Sequence, residues 1–167
     1  MTVTSIDKDL DRLTLTLVAD LDAPIDRVWD LWADPRLLER WWGPPTYPAT
    51  FETHELRAGG RATYYMTGPD GDRPRGWWQF LSVDAPRSLE FSDGFANDDG
   101  TPNPDMPVSR AHVELTEQDG HTRMEMRFRF ASREHMEQVL DMGTAEGLRE
   151  AVGQMDTLLV ERFGARV

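Results

Sequence analysis

The sequence contains no cysteine, and lysine is nearly absent from it. The lack of cysteine excludes disulfides, thiolate nucleophiles and cysteine-ligated zinc sites. The chain has 30 acidic and 18 basic residues, a formal net charge of −12, which argues against nucleic-acid binding and against docking on anionic membranes. No apolar run approaches the roughly 18 residues of a transmembrane helix, and the N-terminus lacks a basic-then-apolar signal sequence. We therefore expect a cytoplasmic protein.

The length of 167 residues fits one domain that spans residues 1–167. No long linker, internal repeat or low-complexity block divides the sequence. A chain near this size buries about 70% of its unfolded surface, so we expect a sizeable core that needs neither a disulfide nor a metal.

Alternation of apolar and polar residues predicts a series of strands, of which the first covers residues 12–21. Asp119-Gly120 predicts a tight hairpin between the last two strands, and Asp70-Gly71 marks another turn. Residues 93–107 are dense in glycine, proline, asparagine and aspartate, which predicts a long loop. The remaining strands are predicted at residues 49–56, 61–67, 76–83, 88–92, 109–117 and 122–130.

Helical periodicity appears in two places. Two short helices are predicted after the first strand, one from Pro24 to Asp34 and a second that ends at Gly43. A long C-terminal helix is predicted over residues 144–163, with Thr144 as its N-cap and apolar residues at i, i+3 and i+4 spacing. Strands between two helical regions indicate an α+β fold.

This order and several motifs resemble the START-like, helix-grip (SRPBCC) superfamily, and within it the family named for the activator of the heat-shock protein 90 ATPase. The resemblance implies a curved antiparallel sheet wrapped around the long C-terminal helix, often with a cavity between them. Superfamily members include lipid carriers, plant hormone binders and polyketide cyclases, so a fold and a pocket are implied but no single reaction. The matching segments are APIDRVWDLWADPRLLERWWGP (23–44), HELRAGGRATYYMTGPDG (54–71), VDAPRSL (83–89), the paired strands ending in TRMEMRF, and DMGTAEGLREAVGQMDTLL (141–159).

Methionine and aromatic side chains are predicted to surround the interior of such a fold. Residues of this kind can line an adaptable apolar pocket, and they can equally fill a core by plain packing. Both interpretations fit the alternation of the strands. The predicted cavity-lining residues are His54, Tyr64, Met66, Trp78, Phe80, Met124, Met126 and Met155.

His54 is the polar residue of most interest, because Glu52 lies two positions before it on the same predicted strand face. A histidine beside a carboxylate can act as a general base or hold a ligand by a hydrogen bond. The alternative is a strand-end histidine that is bonded locally, or a face reversed by a bulge. We assign no catalytic residue. The histidines lack metal-ligand spacing, and we expect neither a metal nor another cofactor.

Trp29, Trp32, Trp41 and Trp42 lie on the two short helices. Most of them are expected to cap the open end of the sheet, and any exposed ring would mark a surface for a homodimer or a protein partner. The chaperone activator itself has an additional N-terminal domain, for which this sequence offers no segment, and this argues against chaperone stimulation.

Three functions are open at this level. Binding of a small apolar or lipid-like molecule is favoured. The second is a protein-interaction module, such as a chaperone ATPase regulator. The third is a cyclase- or hydrolase-like enzyme that uses His54 with Glu52 or Tyr64.

Overall fold

The computed structural model describes residues 2–164, and its strands form one curved antiparallel sheet. The strands are β1 (Val3–Asp9), β2 (Thr14–Leu21), β3 (Ala49–His54), β4 (Arg61–Met66), β5 (Arg75–Asp84), β6 (Ser88–Ala96), β7 (Ser109–Gln118) and β8 (His121–Phe130). Their order across the sheet is β1-β2-β8-β7-β6-β5-β4-β3. The sheet therefore consists of neighbouring hairpins and one long-range pairing, between β2 and β8.

Five helical segments cover one face of this sheet. They are α1 (Ile25–Ala33), α2 (Pro35–Leu38), α3 (Arg133–Asp141), α4 (Thr144–Val152) and α5 (Met155–Phe163). Helix α4 contacts β1 and β2, whereas α1 contacts β7, β8 and α5. The predicted α+β, helix-grip fold class is confirmed. Within residues 2–164, none of the helices is long and apolar enough to cross a membrane.

Period-two alternation explains which face of the sheet is buried. Leu15, Leu17, Ala19 and Leu21 on β2 are fully buried, and the residues that alternate with them are more exposed. The β7–β8 hairpin is confirmed, with positive φ angles of 53° at Asp119 and 78° at Gly120. These angles belong to the tight turn whose twist matches that of the paired strands. The inward side chains of the sheet and the apolar faces of the helices form one core.

Two strand predictions were incomplete. Strand β1 was not predicted, and it pairs with β2 from Val3 to Asp9. Strand β6 continues to Ala96, so residues 93–96 are not part of the predicted loop. Asp93 and Gly94 favour turns by composition, but pairing with β5 on one side and, at Asp93, with β7 on the other holds them in the sheet. Tertiary pairing here overrides local propensity.

The C-terminal helix is divided where a continuous helix was predicted. Gly153 and Gln154 separate α4 from α5. Glycine is a weak helix former, and the Gln154 Nε2 group donates a hydrogen bond of 2.8 Å to the carbonyl oxygen of Gly43. The N-cap of α4 is Gly143, not Thr144, whose hydroxyl donates to the Val139 carbonyl oxygen. The apolar face of both segments is nevertheless buried against the core.

The tryptophans of the first helical region are all buried. Trp29, Trp32, Trp41 and Trp42 are each at most 8% exposed. The Trp41 indole N–H donates a 2.9 Å hydrogen bond to the Leu31 carbonyl oxygen. All four rings therefore belong to the hydrophobic core, and a homodimer or protein partner through this region stays a prediction.

Candidate functional site

A cavity of about 400 Å³ lies between the sheet and the junction of α3 with α4. Its wall is mainly apolar and receives residues from β2, β4, β5, β6, β7, β8, α3 and α4. Met142 lines the cavity and is 47% exposed, so the cavity reaches solvent beside it. The volume falls within the range of about 300–1,000 Å³ that is usual for small-molecule sites. The aromatic residues of the wall are Trp42, Tyr64, Phe95, Phe128 and Phe130.

Asp93 is the carboxylate in this wall. It follows Leu89 and Phe91 at period two, and both of these residues are buried on the inner face of β6. Its direct neighbours across the sheet are Trp78 on β5 and Ser109 on β7. The sheet therefore directs the Asp93 carboxyl group into an apolar interior that solvent reaches through the cavity.

Burial raises the pKa of Asp93 from its ordinary value of 3.8 to about 7. The Trp78 indole N–H partly offsets this effect, although it makes no hydrogen bond of normal geometry. Within residues 2–164, no cationic side chain contributes to the pKa of this carboxyl group. An ionised carboxylate without a cation is costly in such surroundings, which is why the proton is retained.

Tyr64 lies beside Asp93 and supplies a hydroxyl group at the cavity wall. Burial raises the pKa of its phenol above the ordinary value of 10.0, and the nearby Asp93 carboxylate acts in the same direction. The phenol therefore stays protonated and can donate a hydrogen bond. A Cβ atom at Gly76 would lie 2.4 Å from the Tyr64 oxygen, so glycine at this position lets the phenol lie against the β5 backbone.

The residues predicted to line the cavity divide into two groups. Tyr64 and Met66 lie in its wall. The other apolar ones are buried in the core away from the wall, with side chains that are at most 1% exposed: Trp78, Phe80, Met124, Met126 and Met155. These five side chains belong to the hydrophobic core and do not form the cavity wall.

His54 and Glu52 are not brought together. Glu52 follows the buried Phe51 and is exposed, and it pairs with Arg75 at 2.5 Å. The bulge in β3 between Phe51 and Thr53 leaves Thr53 exposed as well and turns His54 to the side of Phe51. The His54 Nε2 atom lies 3.0 Å from the Trp32 carbonyl oxygen. Burial lowers the pKa of His54, and the hydrogen bond to Trp32 opposes this effect. The geometry is that of a locally bonded strand-end histidine.

A second depression of about 430 Å³ lies at the opposite ends of β6 and β7. Its wall includes Asp84, Arg87, His112 and Glu114. Arg87 pairs with Asp84, and His112 lies near Glu114. This charged surface lacks the apolar walls of the first cavity, so the first cavity is the better candidate for a ligand site.

Asp93 was missed by the sequence analysis because the composition of residues 93–107 indicated a loop. The signal that could have found it is the continued alternation of Leu89, Phe91 and Asp93. A carboxylate at a position where the alternation predicts an inward-facing apolar side chain is unusual and marks a candidate site.

The comparison with protein families agrees with this architecture. The model of the family described as activator of Hsp90 ATPase homolog 1-like protein matches residues 22–160. The chain belongs to this family. The match includes most of the elements that enclose the cavity, from α1 into α5. No curated protein matches the chain.

Two solved structures share about half of their residues with this member of the activator of Hsp90 ATPase homolog 1-like family. A protein from Arthrobacter aurescens is 52% identical, with a TM-score of 0.92 over 99% of this chain and 96% of its own. Protein Ms6760 from Mycobacterium smegmatis is also 52% identical, with a TM-score of 0.87 over 94% of this chain and 96% of its own. A protein from Staphylococcus epidermidis is 25% identical, with a TM-score of 0.82 over 98% of both chains.

Proposed function

We propose that this protein binds a small, predominantly apolar molecule inside the cavity between the sheet and helices α3 and α4. The observation that carries the proposal is the cavity itself, with about 400 Å³ of space and five aromatic residues in its wall. Apolar walls with few polar groups are typical of sites that enclose small ligands. The resemblance to lipid carriers and hormone binders supports the same function.

The geometry gives less support to the two alternatives. His54 and Glu52, the predicted general base and its carboxylate partner, lie on different sides of β3 because of the bulge, and Glu52 instead pairs with Arg75. The tryptophans that would have formed a partner surface are buried. Binding of a small molecule therefore remains the function with the most direct support.

A neutral aromatic probe, 4-phenylbutan-1-ol, tests the proposal by its effect on thermal unfolding. A ligand at ten times its Kd that binds only the folded state stabilises it by about 1.4 kcal/mol. For a domain of this size, we expect a rise in Tm of about 3–6 °C. Differential scanning calorimetry across a concentration series measures this shift. No shift at any soluble concentration, for this probe and a set of aromatic and aliphatic alcohols, would contradict the proposal.

Gly147 offers a matched pair of variants that locates the binding. It lies in the cavity wall on α4, and a Cβ atom there would meet no atom within 4 Å. Gly147→Phe is expected to fill the cavity and weaken probe binding by at least about tenfold. Gly147→Ala is the control, which should bind within about threefold and gain up to about 1 kcal/mol of stability from helix propensity. Unchanged binding by the phenylalanine variant would place the probe elsewhere.

A further inference from the structure

Among the residues that the structure describes, the cavity wall combines apolar and aromatic side chains with one carboxyl group, that of Asp93. None of the ion pairs formed among residues 2–164 includes Asp93. Arg75, the cationic residue of the wall, is engaged elsewhere, since its guanidinium group pairs with Glu52 and lies 5.0 Å from the centre of the Tyr65 ring. The carboxylate therefore lacks the cation that would offset its burial.

The wall around Asp93 suits an organic cation better than an anion. Trp42, Tyr64, Phe95 and the two phenylalanines of β8 all line the same space. The faces of aromatic rings attract ammonium groups, most strongly where water is excluded. A carboxylate in the same wall as such rings offers an ammonium group both a counter-ion and a favourable apolar environment.

The loop at the cavity edge is acidic and therefore also favours a cationic ligand. Residues 97–108 reach the cavity wall through Pro107. They include Asp98, Asp99 and Asp105 and contain no lysine, arginine or histidine, in a chain with a formal net charge of −12. A field of this sign raises the local concentration of cations and lowers that of anions.

We propose that the cavity recognises hydrophobic amines, with the Asp93 carboxylate as the counter-ion of the ammonium group and the aromatic wall as the contact for its apolar body. This inference rests on the proposed function, because it names the ligand class of the same cavity. Tyr64 and Ser109 lie in the wall close to Asp93 and supply hydroxyl groups for further hydrogen bonds.

Three probes of one shape but different charge test the inference by isothermal titration calorimetry: 4-phenylbutylamine, 4-phenylbutan-1-ol and 4-phenylbutyrate. At pH 8, we expect the amine to bind at least about tenfold more tightly than the alcohol, because its charge is matched by Asp93. The butyrate is expected to bind more weakly than the alcohol. In Asp93→Asn, the amine should lose its advantage and bind within about twofold of the alcohol.

The amine preference should also depend on pH. The groups that face Asp93 are Tyr64 on β4, Trp78 on β5 and Ser109 on β7, of which only Tyr64 titrates and does so at higher pH. The amine stays charged throughout, with an ordinary pKa near that of lysine, about 10.4. Because Asp93 takes up a proton below pH 7, amine affinity should fall by about tenfold or more between pH 8 and pH 5.5. The residues that α3 and α4 contribute to the cavity carry no charge: Val139, Thr144, Gly147 and Leu148.

The possible outcomes separate this inference from the proposed function. If the alcohol binds and the amine binds no more tightly, the inference is overturned and the proposed function stands. The same holds if Asp93→Asn keeps the amine preference, or if the butyrate binds best. If none of the three probes binds, the inference fails; if no alcohol of the wider set binds either, the proposed function fails with it. Release of a fraction of a proton on amine binding at pH 6.5, measured in buffers of different ionisation enthalpy, would support the ion pair directly.

Discussion

At pH 8, Asp93→Asn is expected to raise the free energy of unfolding by about 2–4 kcal/mol. Burial raises the pKa of Asp93 from 3.8 to about 7, so between these values the folded protein holds a proton that the unfolded chain has lost. The contribution of Asp93 to stability therefore falls as pH rises from about 4 to about 7. Above pH 7, the folded protein bears the cost of a charged carboxylate that is half-buried among apolar side chains, and the neutral asparagine removes this cost.

At pH 4, the same substitution should change the free energy of unfolding by less than about 1 kcal/mol, because Asp93 is then protonated in the folded protein. Urea unfolding followed by tryptophan fluorescence at pH 4, 6 and 8 measures the difference. Asp98→Asn, on the exposed loop that follows β6, is the control and should stay within about 0.5 kcal/mol at each pH. An Asp93→Asn variant that is less stable than the wild type at pH 8 would show that the carboxylate is well solvated or paired.

Trp32→Ala is expected to lower the free energy of unfolding by about 3–5 kcal/mol. Trp32 is 1% exposed, and its ring centre lies 4.8 Å from that of Trp41 and 6.2 Å from that of Trp78. Removing the indole leaves a void where α1 meets the aromatic residues of the sheet, and close-packed interiors relax only partly around such voids. Chemical unfolding monitored by far-UV circular dichroism measures this loss.

Two further variants sharpen this prediction. Trp32→Phe keeps an aromatic ring and removes an indole N–H that is buried without a hydrogen-bond partner, so it should cost only about 1–2 kcal/mol. Val160→Ala, at a position that is 51% exposed, should change stability by less than about 0.5 kcal/mol. If the Trp32 ring instead served a partner surface, its alanine variant would keep its stability and lose an association.

The fold could be predicted where the information is local. The alternation in β2, β7 and β8 specifies a buried face, and Asp119-Gly120 specifies the turn between β7 and β8. The division of the C-terminal helix could not be predicted in this way. It depends on Gln154, whose amide reaches the Gly43 carbonyl oxygen more than one hundred residues away in the chain.

The site was harder to predict than the fold. The period-two alternation correctly predicts that Met124 and Met126 point inward, and both are fully buried. It does not predict how far along the sheet the cavity lies. Asp93 was missed because the neighbouring residues in the sequence have the composition of a loop, although Asp93 itself lies in strand β6. The bulge between Phe51 and Thr53 put Glu52 and His54 on different faces of β3 and so removed the predicted pair. A one-residue change of register is enough to do this.

The central claim is that apolar ligands enter the space bounded by Tyr64, Asp93 and the α3–α4 junction. Methyl-selective NMR of the methionines in the presence of 4-phenylbutan-1-ol tests it most directly, because Met66 and Met142 line this space whereas Met124, Met126 and Met155 do not. We predict intermolecular NOEs from the probe to the Met66 and Met142 methyl groups. NOEs confined to Met124, Met126 and Met155, or a saturating titration that gives no NOE to Met66 or Met142, would contradict it.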